Sequence, residues 1–434
     1  MSEGEGLQRT LGFFEATSIG LGTMIGGGIF ILPSVAAAQA GPASAISFAL
    51  AGLISLLSAL SHAELATAMH EAGGAYQYVH RALGPLAGSV VGWGMWIGLV
   101  FASAFYAVGF AQYLTFFSGL VPVAVAAVAL ALVLTALNYY GGGEAGELQD
   151  VIVLALLVII LSFVGLGVPA VDGGNLSPFA PQGWAAVLTT TGTVYVALIG
   201  FGLIAAEAGE IKRPDRNIPW SMVVSVVVPT VLYVAVMVVS TGVLPIEELS
   251  GSRIPVADVA RAYAGPLGAL AMTVGAVLAT ISSANASILS AGRVTYAMGA
   301  DRVLTDRLHS VHPSFGTPYR AILLTGAGIA LLVVLRVGID VLAEVASFMF
   351  LLTYGLVHVA LVRLRHGEMS YDPEFTIPWP LYPVAPAVGV LATLGVMAVM
   401  DPLVIFGGAT IVVASVVWYY VYVEADLVHE TAGD

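Results

Sequence analysis

A chain of 434 residues that is 59% hydrophobic and only 9% charged, with a mean hydropathy of +0.95, does not read as a soluble domain, since such domains carry about 25% charged residues. Its formal net charge of −13 offers no basic face to a nucleic acid, and none is expected as a partner. There is no cysteine, which excludes disulfides, thiol catalysis and Cys-ligated zinc.

In chain order, the acidic start MSEGEGLQRT does not read as a cleavable signal peptide. Apolar segments follow at about 13–39, 43–69, 85–117, 121–138, 148–168, 185–208, 219–244, 265–299, 318–338, 341–364, 379–399 and 402–423. Each of these twelve segments is near or above the roughly 20 residues needed to cross a hydrocarbon core. The connections between them are short, so no soluble domain is expected. With both termini in the cytoplasm, Arg9, Arg81, Lys212, Arg213, Arg216, Arg293, Arg302, Arg307, Arg320, Arg363 and Arg365 lie inside, and only Arg253, Arg261 and Arg336 lie outside. That asymmetry obeys the positive-inside rule and predicts a cell-membrane protein with cytoplasmic N and C termini.

The first segment breaks its own helix at GTMIGGGIF, residues 22–30. Each glycine there costs about 1 kcal/mol relative to alanine. Irregular backbone at membrane depth survives only against protein or a water-filled cavity. Freed N–H groups on Gly26, Gly27 and Gly28 would form the positive end of the following half-helix, suited to a carboxylate. Freed carbonyls of Gly22, Thr23 and Met24 would suit an ammonium or a cation. Taken alone, Gly22 and Gly26 could equally be a helix-packing GxxxG pair. The sixth segment discriminates: YVALIGFGLIAAEAGEIKRPDRNIP, 195–219, carries a second mid-span glycine pair, Gly200 and Gly202. Glycine-interrupted spans at matching positions of two halves point to a transporter binding site.

Four motifs carry a resemblance to the amino acid–polyamine–organocation transporter superfamily. They are SIGLGTMIGGGIFILP in the first span, HAELATAMHEAGGAYQYVHRALGPLAGSVVGWG at 62–94, EAGEIKRPDRNIP at 207–219, and SAGRVTYAMGADRVL…HPSFGTPYRA at 290–321. The resemblance implies an all-α membrane protein of twelve transmembrane helices with the leucine-transporter fold. It implies two inverted repeats, 11–170 (spans 1–5) and 185–366 (spans 6–10), with 379–423 (spans 11 and 12) appended, and alternating access around a site between spans 1, 3, 6 and 8. Carried over residue by residue, the backbone N–H groups of Gly27 and Gly28, beside Gly26, would hold a substrate carboxylate. The carbonyls of Met24, Val196 and Ile199 would hold its ammonium. Tyr195, Leu198 and Phe201 would stand near the side-chain pocket. The family often has an aromatic at Val196 or Leu198 and an acid at Gly202, so the chain departs from the pattern there.

Glu15, Glu64 and Glu207 read as cytoplasmic-end residues, leaving no ionised side chain in the central segments. A charged substrate would want a buried partner, so a neutral L-amino acid is the expected substrate, moved by secondary active transport. An exchanger or facilitator without ion coupling, or a transporter-like sensor, are the alternatives. An enzyme is not expected, because the sequence contains no G-x-S-x-G, H-E-x-x-H or P-loop. Proton-coupled members of the family commonly carry a fifth-span Lys; here that position aligns with Leu156. The eighth-span ATISSANAS, 279–287, instead places Ser282 and Ser283 where sodium-coupled relatives of the fold use hydroxyls. With the carbonyls of Gly22, Ile25 and Ala279 they would make a hard-oxygen site for Na+ as coupling ion; alternatively, both serines bond back to their own helix. No other cofactor is expected. A single Lys, Lys212, beside acidic loops such as GEAGELQD at 143–150 is similar to proteins of salt-in halophiles, and points to a halophilic archaeal source. His309 and His312 read as solvated, and His62 and His358 as helix-to-helix hydrogen-bonding residues. Gly84, Gly88, Gly92, Gly94 and Gly98 read as a packing ladder.

Overall fold

The computed structural model describes residues 9–69, 73–119, 121–141, 146–367 and 370–423. The acidic start and the Glu144 part of the 143–150 loop lie outside the described residues. Helices α1 (Phe13–Met24), α2 (Gly28–Ala40) and α3 (Ser44–Ala68) are followed by a short amphipathic α4 (Ala75–Leu83). Then come α5 (Pro85–Ser118), α6 (Val123–Tyr139) and α7 (Gly146–Gly167). The second half holds α8 (Trp184–Val194), a 3-10 turn (Tyr195–Leu198), α9 (Gly202–Ala206), α10 (Pro214–Val243) and the short α11 (Ile246–Gly251). It continues through α12 (Pro255–Ala300), α13 (Tyr319–Val334), α14 (Ile339–His366), α15 (Leu381–Val399) and α16 (Pro402–Trp418).

Among the described residues, eight helical stretches are long and apolar enough to cross a membrane. The first of them, Phe13–Ala68, contains α1, α2 and α3 together, and the apolar α6, α13 and Trp184–Leu198 are shorter. Many surface positions are large and apolar, including Leu132, Val133, Leu161, Leu391 and Phe406, as a lipid-facing surface requires.

Local chemistry explains where helices stop. At the end of α1, Ile25 leaves the helical region at φ −85°, ψ 51°, and the glycines after it impose no side-chain penalty on a new start. Gly265, at φ +65°, kinks α12 one residue before Pro266, a left-handed conformation that a side chain would resist. α3 packs on α10, α5 on α12 and on α14, and α6 on α13. The core is built on small residues: Gly92 faces Met298, and Gly98 faces Met349 and Phe350. These two glycines let α5 approach its neighbours closely.

Candidate functional site

The two helix interruptions meet. A Cβ built on Gly200 would stand 2.7 Å from Thr23 Cβ and from Met24 Cγ, and one on Gly28 would stand 3.0 Å from Ala197 Cβ. Each break is therefore packed against the other, at contact distances only glycine permits. The freed backbone groups find partners there, as buried polar groups must. The Tyr233 hydroxyl donates to the Met24 carbonyl (3.1 Å), and the Tyr354 hydroxyl donates to the Ile199 carbonyl (2.9 Å). The Gly27 N–H donates to Ser283 Oγ (3.3 Å), and the Val196 N–H donates to Ser347 Oγ (2.8 Å). A carbonyl has two lone pairs: Ile199 uses both, since it also accepts from the Gly202 N–H (3.3 Å), whereas Met24 keeps one acceptor site.

A cavity of about 260 Å³ lies beside this junction. Its inner wall is Thr23, Met95, Leu99, Tyr106, Ile199, Gly200, Gly202, Leu203, Phe350 and Tyr354, with His62 above Phe201. Its charged residues, Glu207, Glu210 and Arg293, accompany Gly73 and Gly74. Arg293 and Glu207 form an ion pair across α12 and the segment after α9.

Of the site residues read from sequence, Ile199 and Gly202 line this cavity. Met24, Gly26, Gly27, Gly28, Tyr195, Val196, Leu198 and Phe201 do not; they are buried in the packing that forms its wall. The reason is the close docking of the two breaks: Gly26 faces Ser283, Gly27 faces Thr280 and Tyr106, and Gly28 faces Tyr233.

The residues expected around a sodium ion are engaged otherwise. Ser282 donates to Gln149 Oε1 (2.9 Å), while Ser283 accepts from Gly27. Neither bonds back to its own helix. The Gln149 amide also lies against Gly22, where any side chain would collide with it. The α7 side chains against Gly22 are Gln149 and Val153; Leu156, one turn beyond Val153 on α7, is fully buried. Ile25 and Ala279 are fully buried nearby in sequence.

One buried acid, Glu344, is missed by the sequence reading, and the surroundings of Glu64 and of the histidines are seen only in the structure. Glu344, six residues into α14, is buried and bonded to Gln39 and Thr193. An acid inside an apolar helix is the signal that could have found it. Glu64 is fully buried and pairs with Arg365, which also stacks on the Tyr382 ring at 3.7 Å. Glu64 additionally accepts from the Ile377 N–H (2.8 Å) and the Tyr371 hydroxyl (3.1 Å). Burial, and the Glu64 carboxylate beside it, raise the Tyr371 pKa above the ordinary tyrosine value. His358 does bridge helices, to Ser61 (2.8 Å) and Ser58 (3.3 Å), but His62 bonds within α3 to the Ser58 carbonyl. His309 contacts Tyr296 and His312 stacks on Phe315.

Comparison with known proteins fits this architecture. The amino acid permease family model matches residues 11–424. The chain is 32% identical to the branched-chain amino acid permease BcaP of Bacillus subtilis, over 89% of this chain and 87% of that protein. It is also 32% identical to the methylthioribose transporter of Bacillus subtilis, over 89% and 88% respectively. Cationic amino acid transporter 9, chloroplastic, of Arabidopsis thaliana is 30% identical over 72% of this chain and 59% of that protein. A family match spanning nearly the whole chain, on an all-helical apolar fold with two facing helix breaks, leads to one conclusion: the chain belongs to the amino acid permease family, and is a multi-pass membrane transporter rather than an enzyme.

Proposed function

We propose that the protein moves neutral L-amino acids across the cell membrane by secondary, alternating-access transport. The observation that carries this reading is the small cavity beside the two breaks. At about 260 Å³ it is below the roughly 300–1,000 Å³ of pockets for drug-sized ligands, a size suited to one amino acid. Its lining is mostly apolar and aromatic, with Thr23, His62, Ser287 and Ser290 as neutral polar groups, and of its charged residues Glu207, Glu210 and Arg293 the first and last pair with one another. A cationic side chain would have to draw Glu207 or Glu210 away from the contacts each already makes. Branched-chain amino acids and methylthioribose, the substrates in the names of two relatives, both end in an uncharged tail. The name of the Arabidopsis relative points the other way, to cationic substrates.

In this reading the substrate ammonium takes the carbonyls of Met24, Val196 and Ile199, displacing the Gly202 N–H from Ile199, and the carboxylate takes the N–H groups of Gly27 and Gly28. Ser283 Oγ then stands in for a carboxylate oxygen at Gly27. Residues 11–170 and 185–366 form the two inverted repeats, with 379–423 appended and both termini cytoplasmic. The packing supports this arrangement: α3 on α10, α5 on α12 and α6 on α13 each join an element of one half to its counterpart in the other. α1 on α7 and α8 on α14 are likewise equivalent contacts.

The test is counterflow of labelled leucine in proteoliposomes, with unlabelled alanine, arginine, lysine and a diamine as competitors. Alanine and leucine should compete and the cations should not. Arginine or a diamine competing as well as leucine would overturn the neutral-pocket reading.

A second reading concerns coupling. Sodium coupling through Gly22, Ile25, Ala279, Ser282 and Ser283 is favoured by the Ser283 hydroxyl on the Gly27 N–H and by the Ser282 hydroxyl on the Gln149 amide that rests on Gly22. It requires the Gln149 amide to withdraw from Gly22 when the ion binds.

A further inference from the structure

Three side chains from three different helices form a closed ring. Thr193 Oγ1, next to the end of α8, lies 2.9 Å from Gln39 Oε1 on α2 and 2.9 Å from Glu344 Oε1 on α14. Gln39 Nε2 closes the ring at 3.1 Å from the same Glu344 oxygen. Each of the three contacts needs one proton; the Thr189 carbonyl, the further acceptor of Thr193, stands at 3.5 Å, well outside the two 2.9 Å contacts. The Gln39 amide supplies one, and the Thr193 hydroxyl, which carries a single hydrogen, supplies a second. If Thr193 donates to Gln39, its contact with Glu344 has no hydrogen. Turning the amide over does not help: Nε2 then serves Thr193, Thr193 serves Glu344, and two acceptor oxygens of Gln39 and Glu344 face each other. In both orientations the ring is one proton short, and the one group able to carry it is the Glu344 carboxyl.

The charges around Glu344 do not stabilise an anion. The partner helices α2 and α8 contain no charged residue. Asp340, one turn earlier on α14, and Asp401, ahead of α16, bear the same sign as an ionised Glu344. Among the described residues no Lys, Arg or His pairs with it. Arg253 lines a neighbouring cavity of about 350 Å³ together with Gln39, Asp340 and Ser34, and this cavity reaches the ring at Gln39.

We propose that Glu344 is a proton-binding site whose occupancy latches α2, α8 and α14 together, closing the end of the transporter away from the Glu207–Arg293 pair. The chemistry is one O–H bond. A proton from water joins Glu344 Oε1 as the ring closes and returns to water as the ring opens. Closure on that side is therefore favoured by acid. The proposal deepens the alternating-access reading and rests on it.

The absence of cysteine in the native chain makes the test clean. A single Ser34→Cys in the full-length protein places a thiol in the cavity beside Gln39. Its rate of maleimide labelling is measured against pH in proteoliposomes, divided by the rate of the same thiol in denatured protein to remove thiol ionisation. In the Glu344 protein the normalised rate should fall on acidification, by up to about tenfold per pH unit for a one-proton step. In Glu344→Gln, whose amide supplies the missing hydrogen at every pH, it should be low and flat. A pH-independent rate in the Glu344 protein, or a fall that persists in Glu344→Gln, would overturn the proposal. Leucine counterflow measured in parallel separates the two readings: its absence in the native protein would remove the transport reading, whereas counterflow with pH-independent labelling would remove the latch alone.

Discussion

Ser282 on α12 donates a 2.9 Å hydrogen bond to Gln149 on α7, and the same amide rests on Gly22 of α1. A neutral side chain thus joins three helices at the place where a coupling cation is proposed to bind. The amide and the ion would compete for one space, because the amide fills the place beside Gly22 and engages the Ser282 hydroxyl.

This competition sets the first prediction. Replacing Gln149 with Ala should make uptake more sensitive to sodium than in the native protein. Initial rates would be measured with sodium, potassium or choline outside at matched ionic strength, which also guards against low-salt unfolding. Equal rates in all three salts, in both proteins, would remove the sodium site. Stimulation that survives Ser282→Ala with Ser283→Ala would keep the ion and discard these ligands.

Gly28 gives the second. A methyl group there would stand 2.7 Å from the Tyr233 hydroxyl and press on Ala197. It would push away the donor that satisfies Met24, a buried hydrogen bond whose loss costs about 1–3 kcal/mol. Gly28→Ala should therefore lower counterflow by about tenfold or more while the protein still elutes as a single folded species. Gly165→Ala on α7, where an added Cβ meets nothing, should transport normally. Comparable rates for the two variants would argue against a working junction between the breaks. The leucine substitutions Gly27→Leu and Gly28→Leu should abolish binding.

A third outcome concerns stability rather than transport. Glu64 is fully buried, and its partner Arg365 is held further by Tyr382 and the Ile377 carbonyl. Removing one member of a buried pair leaves an uncompensated charge, at a cost of about 3–5 kcal/mol. Glu64→Gln and Arg365→Gln should each lower the thermal midpoint of the detergent-solubilised protein clearly. The double variant should recover part of that loss, because no lone charge remains. A double variant as unstable as the sum of the singles would show that the two residues act independently.

What was legible in the sequence is what lipid enforces along one dimension. Long apolar runs, charges confined to their ends and glycines clustered mid-run follow from the cost of unpaired backbone and charge in hydrocarbon. Both helix breaks, at Ile25–Gly27 and near Ile199–Phe201, could be read for that reason. The tertiary structure decided which groups meet across helices. Gln149 meets Ser282 because of the depth at which α7 and α12 cross; Leu156, seven residues on and therefore on the same face of α7, differs from it in depth by about 10 Å. Gln39, Thr193 and Glu344 lie more than 150 residues apart pairwise, and their ring exists only because α2, α8 and α14 converge. Hydropathy records how apolar a helix is; it carries no information on which face turns to which neighbour, and the cross-helix hydrogen bonds at the breaks and in the ring depend on that.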